Sequence, residues 1–207
     1  MDLLSIASGS SGNCYYVGSE ETHLLVDAGV SGKKIESALN EIDRKPSDLN
    51  GILVTHEHID HVKGLGVMAR KHGIPIYTTG GTISEIKKMS SVGTIDDSLF
   101  HEIEPDEPFF INDLSIDASA IWHDAADPVC YSISDGKSKF SIATDMGNYD
   151  EYVVNKLKNS DIMVIEANHD IRMLQAGPYP YYLKQRILGN RGHLSNERSG
   201  QLIKALL

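Results

Sequence analysis

The chain has 207 residues, of which 41% are hydrophobic and 23% are charged, as in an ordinary globular protein. Its 29 acidic and 19 basic residues give a net charge of −10, which argues against broad, non-specific binding to nucleic acid. A local basic patch or a bound metal ion is still compatible with that charge. No apolar run approaches the roughly 20 residues that cross a bilayer, and the N-terminus lacks the features of a signal peptide. We therefore expect a cytoplasmic protein without membrane contact, whose two cysteines are reduced.

The first half of the chain consists of short apolar runs separated by glycine and serine. Strands are predicted at residues 3–7, 14–17, 23–26, 52–54 and 74–77. Apolar residues at helical spacing predict helices at residues 32–42 and 62–72. Side chains that can bind metal follow the strands that end at Val26 and Val54.

The second half repeats this rhythm. Strands are predicted at residues 109–121, 130–134, 139–143 and 162–167, with a hairpin between the second and third. Helices are predicted at residues 149–157 and 196–207, and Ser195 is the expected N-cap of the last one. Because no linker separates the halves, we predict one α/β domain over residues 1–207, in which two sheets pack together with helices outside.

The stretch THEHIDH, residues 55–61, is the most informative part of the sequence. Residues i and i+2 of an extended segment point the same way, so His56 and His58 can hold one metal ion. Asp60 and His61 lie further round the turn and face a second position. Four candidate ligands exceed what a single catalytic metal needs. The pattern therefore predicts two divalent ions, and its imidazole and carboxylate groups suit Zn²⁺ or Mn²⁺.

These residues resemble the HxHxDH signature of the metallo-β-lactamase superfamily, and the resemblance implies an αββα sandwich. In that family a later histidine and a bridging aspartate complete the site, and two residues of this chain follow in that order. The implied ligands are His56, His58 and His123 for one metal and Asp60, His61 and Asp145 for the other. The resemblance also gives Asp27 a supporting role behind a ligand, with helix capping as the alternative.

Two further stretches resemble the YycJ/WalJ group of this superfamily, which comprises small bacterial metallo-hydrolases of its nuclease side. They are SGSSGNCYYV and NHDIRMLQAGPYPYYLKQRILGNRGHLSNE. This second resemblance implies a DNA exonuclease that uses a dinuclear site and a bridging hydroxide. It also implies three catalytic residues. His193 protonates the leaving oxygen or stabilises charge, Glu166 is its acidic partner, and Asp60 belongs to the same catalytic set.

Residues 171–196 contain no acidic residue, although the chain as a whole is acidic. Cations bind phosphates and tyrosines stack on unpaired bases, so this segment is predicted to contact nucleic acid, with DNA favoured over RNA. The predicted contacts are Lys184, Arg186, Arg191 and Tyr181, with Tyr179 and Tyr182 nearby. His169 is either a metal or phosphate contact or a plain loop histidine. The alternative for the whole segment is a basic helix face above an aromatic core contact.

The family's last histidine ligand follows a strand beyond the final helix, whereas this sequence ends at Leu207 within that helix. We therefore expect the C-terminal part of the sandwich to be missing. Two alternatives to a nuclease stay open. A small-molecule hydrolase acting on a thioester or lactone would use the same ligands, and a non-catalytic metal-binding protein would follow from the absent ligand. The sequence does not indicate an oligomeric state.

Overall fold

Eleven strands form two sheets in the computed structural model, which describes all residues 1–207. The strands are β1 (Asp2–Ala7), β2 (Cys14–Gly18), β3 (His23–Val26), β4 (Gly51–Leu53), β5 (Ile76–Thr78), β6 (Phe100–Glu102), β7 (Phe109–Ile111), β8 (Leu114–Ala120), β9 (Val129–Ser134), β10 (Lys139–Ala143) and β11 (Ile162–Ile165). The first sheet has the order β1-β2-β3-β4-β5-β6 and is parallel from β3 onward. The second has the order β11-β10-β9-β8-β7 and is antiparallel except where β11 pairs with β10.

Five of the eight helices lie between strands, and three follow the last strand. The helices are α1 (Gly32–Glu41), α2 (Ile59–Val62), α3 (Leu65–His72), α4 (Gly80–Ile86), α5 (Glu151–Leu157), α6 (Ile171–Ala176), α7 (Tyr181–Leu188) and α8 (Asn196–Leu206). The predicted cap of α8 is present, because the Ser195 side chain accepts a hydrogen bond from the Arg198 amide. No helix combines the length and the apolar composition needed to cross a membrane.

Both faces of each sheet are buried, which produces four layers. One apolar cluster lies between the sheets and includes Leu24 from the first and Tyr131 from the second. A second cluster packs α1 and α3 on the outer face of the first sheet, where Leu25 points away from Leu24. A third packs α5 and α8 on the outer face of the second sheet, around Leu202. The layers confirm the predicted αββα sandwich.

The helix predicted over residues 62–72 is wrong in its extent, because two helices occupy this region. The single turn α2 begins at Ile59, and α3 begins only at Leu65. Gly64 lies between them and donates its amide to the carbonyl of Ala28. A Cβ at Gly64 would overlap the carbonyl oxygen of Val30. The backbone therefore bends where two loops touch, so Asp60 and His61 belong to a helical turn of their own.

The single strand predicted over residues 109–121 is also wrong, because the chain reverses within it. Strands β7 and β8 form a hairpin in which Ile111 pairs with Leu114. Asn112 adopts a left-handed backbone with φ of 49°, a conformation that asparagine tolerates well. Four elements had no sequence prediction: α4, β6, α6 and α7. The last two form an arm beside the predicted metal ligands.

Candidate metal centre and adjoining cavity

The predicted metal ligands lie in loops that follow strands of both sheets. The THEHIDH stretch follows β4, His123 follows β8, and Asp145 follows β10. Asp27 and Asp145, each just after a strand, have φ values of 60° and 55°. Aspartate adopts this left-handed conformation more readily than most residues with a Cβ. The turns direct both carboxylates toward the same end of the sandwich, where the ligands converge.

Side chains that can bind metal form three overlapping groups. Within each group, the candidate ligand atoms lie within 4.8 Å of one another. The groups are His56, His58 and His123; His56, His61 and Asp145; and Asp145, Glu166 and His193. His56 links the first two groups and Asp145 links the last two. The structure thus brings together five of the six predicted metal ligands, next to the predicted pair of Glu166 and His193.

The protein fixes three of these histidines through one ring nitrogen. The Nδ1 atoms of His56, His61 and His123 lie 3.0 Å from Thr55 Oγ1, 2.8 Å from Asp27 Oδ2 and 3.1 Å from the Gly192 carbonyl oxygen, respectively. Such bonds orient an imidazole so that its other nitrogen can bind metal. The other nitrogen of His123, Nε2, faces the fourth histidine, since it lies 3.2 Å from His58 Nδ1.

The surroundings of the His56 ring show whether this centre suits a metal ion. Its side chain is fully buried, yet its Nε2 atom has no hydrogen-bond partner in the protein. Such an orphaned buried group calls for a partner. Burial lowers the pKa of His56 well below its ordinary value and that of His123 to about 4. Both rings are therefore neutral at pH 7, the form that binds metal. The residues fit a divalent transition metal.

Asp27 lies behind His61 rather than among the ligand groups. The carboxylate is buried and accepts hydrogen bonds from the Thr55 amide at 2.9 Å and from the Thr55 hydroxyl. Its Oδ2 atom also holds His61 Nδ1. Ser31, and not Asp27, caps α1. This carboxylate thus ties the end of β3 to the start of THEHIDH and orients one histidine.

Asp145 joins His61 to His193. Its Oδ2 atom lies 2.7 Å from His61 Nε2, and its Oδ1 atom lies 3.2 Å from His193 Nδ1. Burial acts to lower the pKa of both histidines, but their carboxylate neighbours outweigh it and raise each pKa to about 10. Burial acts to raise the pKa of Asp145, yet hydrogen bonds from His193 and His61 hold it well below its usual range. The cluster therefore contains paired charges at neutral pH, and an ion that binds His61 Nε2 would displace the proton held there.

Glu166 fixes the position of His193. Its Oε1 atom lies 2.6 Å from His193 Nδ1. Its Oε2 atom accepts hydrogen bonds from the Met146 and Leu194 amides at 2.9 and 3.2 Å. Burial raises the pKa of Glu166, and the hydrogen bond from His193 opposes that shift. The structure thus places the two residues in direct contact and leaves His193 Nε2 without a protein partner.

Asp60 lies at the edge of the ligand groups. Its Oδ2 atom is 3.7 Å from His61 Nε2, and its carboxylate accepts no hydrogen bond. Its backbone carbonyl accepts a hydrogen bond from the Asn13 amide, and Asn13 Nδ2 lies 3.1 Å from His61 Nε2. Asn13 belongs to the SGSSGN loop, so this loop packs directly against the candidate metal centre.

A cavity of about 650 Å³ opens beside the metal centre. His58, Asp60, Asp145 and His193 line it together with residues of the arm formed by α6 and α7. Two of the predicted substrate contacts, His169 and Arg186, also line the cavity. Tyr181, Lys184 and Arg191 do not line it and stay predictions. Lys184 donates to the Gln175 carbonyl oxygen, Arg191 is exposed, and the side chain of Tyr181 is 76% exposed.

Arg186 is paired with an acid that was not among the predicted site residues. Its Nη2 atom lies 3.1 Å from Asp124 Oδ1, and its Nε atom also contacts that carboxylate. Asp124 Oδ1 is in turn 3.5 Å from His123 Nε2. Burial acts to raise the pKa of Asp124, but the hydrogen bond from Arg186 leaves it lowered. The position of Asp124 directly after His123 was the one feature of the sequence that could have indicated its place in the site. The sequence positions of Thr55 and Asn13 gave no such indication.

The sequence is similar to one known family and to proteins named exodeoxyribonucleases. The family model described as beta-lactamase superfamily domain matches residues 22–206. The protein named exodeoxyribonuclease WalJ of Streptococcus pneumoniae is 44% identical over 192 residues, which span 93% of this chain and 71% of that protein. Exodeoxyribonuclease YycJ of Bacillus anthracis is 38% identical over 192 residues, 93% of this chain and 72% of its own length.

Solved structures share the fold at lower sequence identity. The short form of human tRNase Z has a TM-score of 0.74 at 17% identity, covering 100% of this chain and 88% of that one. The metallo-beta-lactamase fold protein YhfI of Bacillus subtilis has a TM-score of 0.72 at 18% identity, covering 99% and 80%. These similarities agree with the four-layer arrangement of sheets and helices.

Proposed function

We propose that this chain, which belongs to the family of the beta-lactamase superfamily domain, is a metal-dependent exonuclease that hydrolyses phosphodiester bonds of DNA. The observation that carries the proposal is the contact between two histidine-rich ligand groups and the His193–Glu166 pair at one cavity. The relatives named exodeoxyribonucleases, at 44% and 38% identity, support DNA as the substrate. We propose further that residues 1–207 act as one domain.

The proposed metal centre holds two divalent ions, Zn²⁺ or Mn²⁺. His56, His58 and His123 would hold one, and His61 and Asp145, with Asp60 from the cavity edge, would hold the other. Such ions, when bound, supply Lewis acidity and positive charge to a phosphodiester. Asp27 would act on the second group only through His61.

His193 would serve as the general acid for the leaving oxygen. Glu166 occupies Nδ1, so the proton on Nε2 is the one available to substrate. The Glu166 carboxylate, in direct contact with Nδ1, would stabilise the protonated ring. Asp60, whose carboxylate accepts no hydrogen bond, would take the proton of the attacking water.

The basic residues divide into inner and outer contacts. Arg186 is in the cavity wall, but Asp124 already neutralises it, so a phosphate must compete with this carboxylate. We therefore give Arg186 a secondary role in substrate binding. Lys184, Arg191 and Tyr181 lie outside the cavity and would contact a longer strand.

The test of the proposed function uses protein reconstituted with metal and compares two substrates that differ in their leaving group. We expect His193→Gln to slow nucleotide release from DNA by roughly 10²- to 10⁴-fold, the range for losing a general acid. The same variant should barely affect bis-p-nitrophenyl phosphate, because p-nitrophenolate leaves without protonation. His101→Gln, an exposed histidine remote from the ligand groups, is the matched control.

Two results would replace this proposal by its alternatives. Faster turnover of a thioester or lactone than of any DNA would identify a small-molecule hydrolase. Normal folding with bound metal but no turnover of any phosphodiester would identify a non-catalytic metal-binding protein.

A further inference from the structure

We infer that the cavity beside the metal centre is a pocket for one nucleobase, which it takes from the terminal nucleotide of a DNA strand. The inference rests on the proposed function, because the pocket would hold the base whose phosphodiester is cleaved. It adds a requirement for an accessible base at the strand end, which the metal ligands alone do not impose.

Part of the cavity wall is apolar and open. The arm contributes Leu174 from α6, Tyr179 from the connection between the helices, and Leu183 and Ile187 from α7. Leu183 and Ile187 are four residues apart and therefore lie on one face of that helix. Both are only partly buried, and Tyr179 is 53% exposed. Apolar surface of this kind is available to the flat face of a base.

The remainder of the wall is polar and contains the catalytic candidates. His58, Asp60, Asp145 and His193 line the same cavity as the apolar arm. A nucleotide has the same division, with an anionic phosphate at one end and a flat, largely apolar base at the other. The acidic side chains that line this cavity belong to the metal centre. Residues 171–196, which include the arm, contain no acidic residue. A phosphate at the centre therefore brings its base within reach of an arm that does not repel it.

The size of the cavity favours one unpaired base over a duplex. Its volume of about 650 Å³ falls within the range of roughly 300–1,000 Å³ that is usual for small-ligand pockets. A paired base would bring its partner strand with it. Enzymes that enclose a base in a pocket therefore take it out of the stack first. The end of a strand is where this costs least, because the terminal base has a neighbour on one side only.

Two residues that line the cavity carry a polar atom without a partner. His169 Nε2 and Thr144 Oγ1 are buried, and neither has a hydrogen-bond partner in the protein. Both residues line the cavity. A side-chain rotation that turned either atom toward the cavity would bring it to the edge of a base, which carries both donors and acceptors.

The arm also provides a matched pair of tyrosines. Tyr179 lines the cavity, whereas Tyr182, whose side chain is 75% exposed, does not. The two residues are three positions apart, and both are accessible to solvent. Stacking on a base inside the pocket would require only Tyr179, while non-specific stacking on a strand would use either side chain.

The test measures binding of a single-stranded oligonucleotide whose terminal nucleotide is normal or abasic, by fluorescence anisotropy. Stacking is worth about 1–3 kcal/mol per base, so the abasic end should bind roughly 5- to 150-fold more weakly. Tyr179→Ala should bind the two oligonucleotides equally. Tyr179→Phe, which keeps the ring, and Tyr182→Ala should retain the difference.

Equal affinity of the unmodified protein for the two ends would overturn the pocket, as would an equal effect of Tyr179→Ala and Tyr182→Ala. The outcome is separable from that of the proposed function. Cleavage of both ends at equal rates would leave the nuclease proposal standing without the pocket. Discrimination between the ends without hydrolysis of any phosphodiester would leave the pocket as a binding site and remove the nuclease proposal.

Discussion

At the scale of single residues, the candidate metal centre depends on side chains that touch no metal position themselves. Asp27 holds His61, Thr55 holds His56, and the Gly192 carbonyl holds His123. Each contact holds the Nδ1 atom of its ring and turns Nε2 toward the other candidate ligands. The arrangement makes metal affinity sensitive to residues that a search for ligands alone would pass over.

Replacing Asp27 by asparagine tests this dependence. We expect the affinity for Zn²⁺ to fall by roughly 10- to 100-fold, because His61 loses the carboxylate that orients it. Asparagine tolerates the left-handed backbone at this position, so the turn itself is preserved. Competition with a chromophoric chelator measures the change. Asp43→Asn, at an exposed left-handed aspartate, is the control, and equal affinities of the two variants would contradict the prediction.

His23 gives a prediction for stability against pH. Burial, with Arg44 adding to it, lowers the pKa of His23 in the folded chain below the ordinary histidine value of about 6.5. The unfolded chain therefore binds this proton more readily, and stability should fall as pH drops below about 6.5. Between pH 5 and 7, the free energy of unfolding in urea should depend less steeply on pH for His23→Gln than for the unmodified protein. The same slope for both proteins would argue against the prediction.

The sequence predicted ligands and not their supports for a physical reason. Four ligand-type side chains within six residues are unusual enough to stand out, and each of their candidate partners follows a predicted strand. Asn13, Thr55 and Asp124 are ordinary polar residues that also contact His61, Asp27 and Arg186, which are distant in sequence. The sequence does not encode these distant contacts, so only the structure shows them.

At the scale of elements, backbone contacts between loops hold the THEHIDH turn in place. Gly29 follows β3, and its amide donates to the Asn13 carbonyl, while the Asn13 amide donates to the Asp60 carbonyl. A Cβ at Gly29 would overlap the Asp60 carbonyl oxygen. The three segments therefore approach so closely at Gly29 that a residue with a Cβ does not fit there.

Replacing Gly29 by alanine should destabilise the chain by about 1–3 kcal/mol or more, the usual effect of overpacking, and weaken metal binding as α2 shifts. Gly200→Ala is the matched control, and it should change the free energy of unfolding in the opposite direction. Nothing lies within 4 Å of a Cβ at Gly200, and an alanine inside α8 should add about 0.5–1 kcal/mol. Urea unfolding measures both, and a neutral Gly29→Ala would contradict the packing argument.

Hydrophobic periodicity identified most strands but not every boundary. The hairpin turn inside residues 109–121 consists of Asn112 and Asp113, which are residues that favour turns, and the prediction of one strand overlooked this signal. The break between α2 and α3 arises from the close approach of Gly64 to the loop after β3, a tertiary contact. The helices α6 and α7 expose much of their apolar surface, which leaves no clear core-facing stripe to detect.

At the scale of the whole molecule, the metal centre joins loops from both sheets. His56 and His61 follow a strand of the first sheet, whereas His123 and Asp145 follow strands of the second. Ions held between them would therefore link the two halves of the sandwich. Metal binding and global stability should be coupled, since a ligand that binds only the folded state stabilises it.

Metal removal tests that coupling. We expect the protein with free Zn²⁺ at 100 times its dissociation constant to gain about 2.7 kcal/mol in unfolding free energy for each occupied site. Chelation should remove the gain, and metal restored after chelation should return it. Thermal unfolding with and without chelator measures the shift. An unchanged melting temperature would mean that no ion binds preferentially to the folded chain.

The metal content of freshly purified, unchelated protein shows whether both ligand groups bind an ion. Elemental analysis should give close to two divalent ions per chain, because the two ligand groups provide separate positions that share His56 as a neighbour. His58→Ala should lose the ion of the first group and keep the other. A chain that binds no metal, or that binds the same amount after this substitution, would contradict the account.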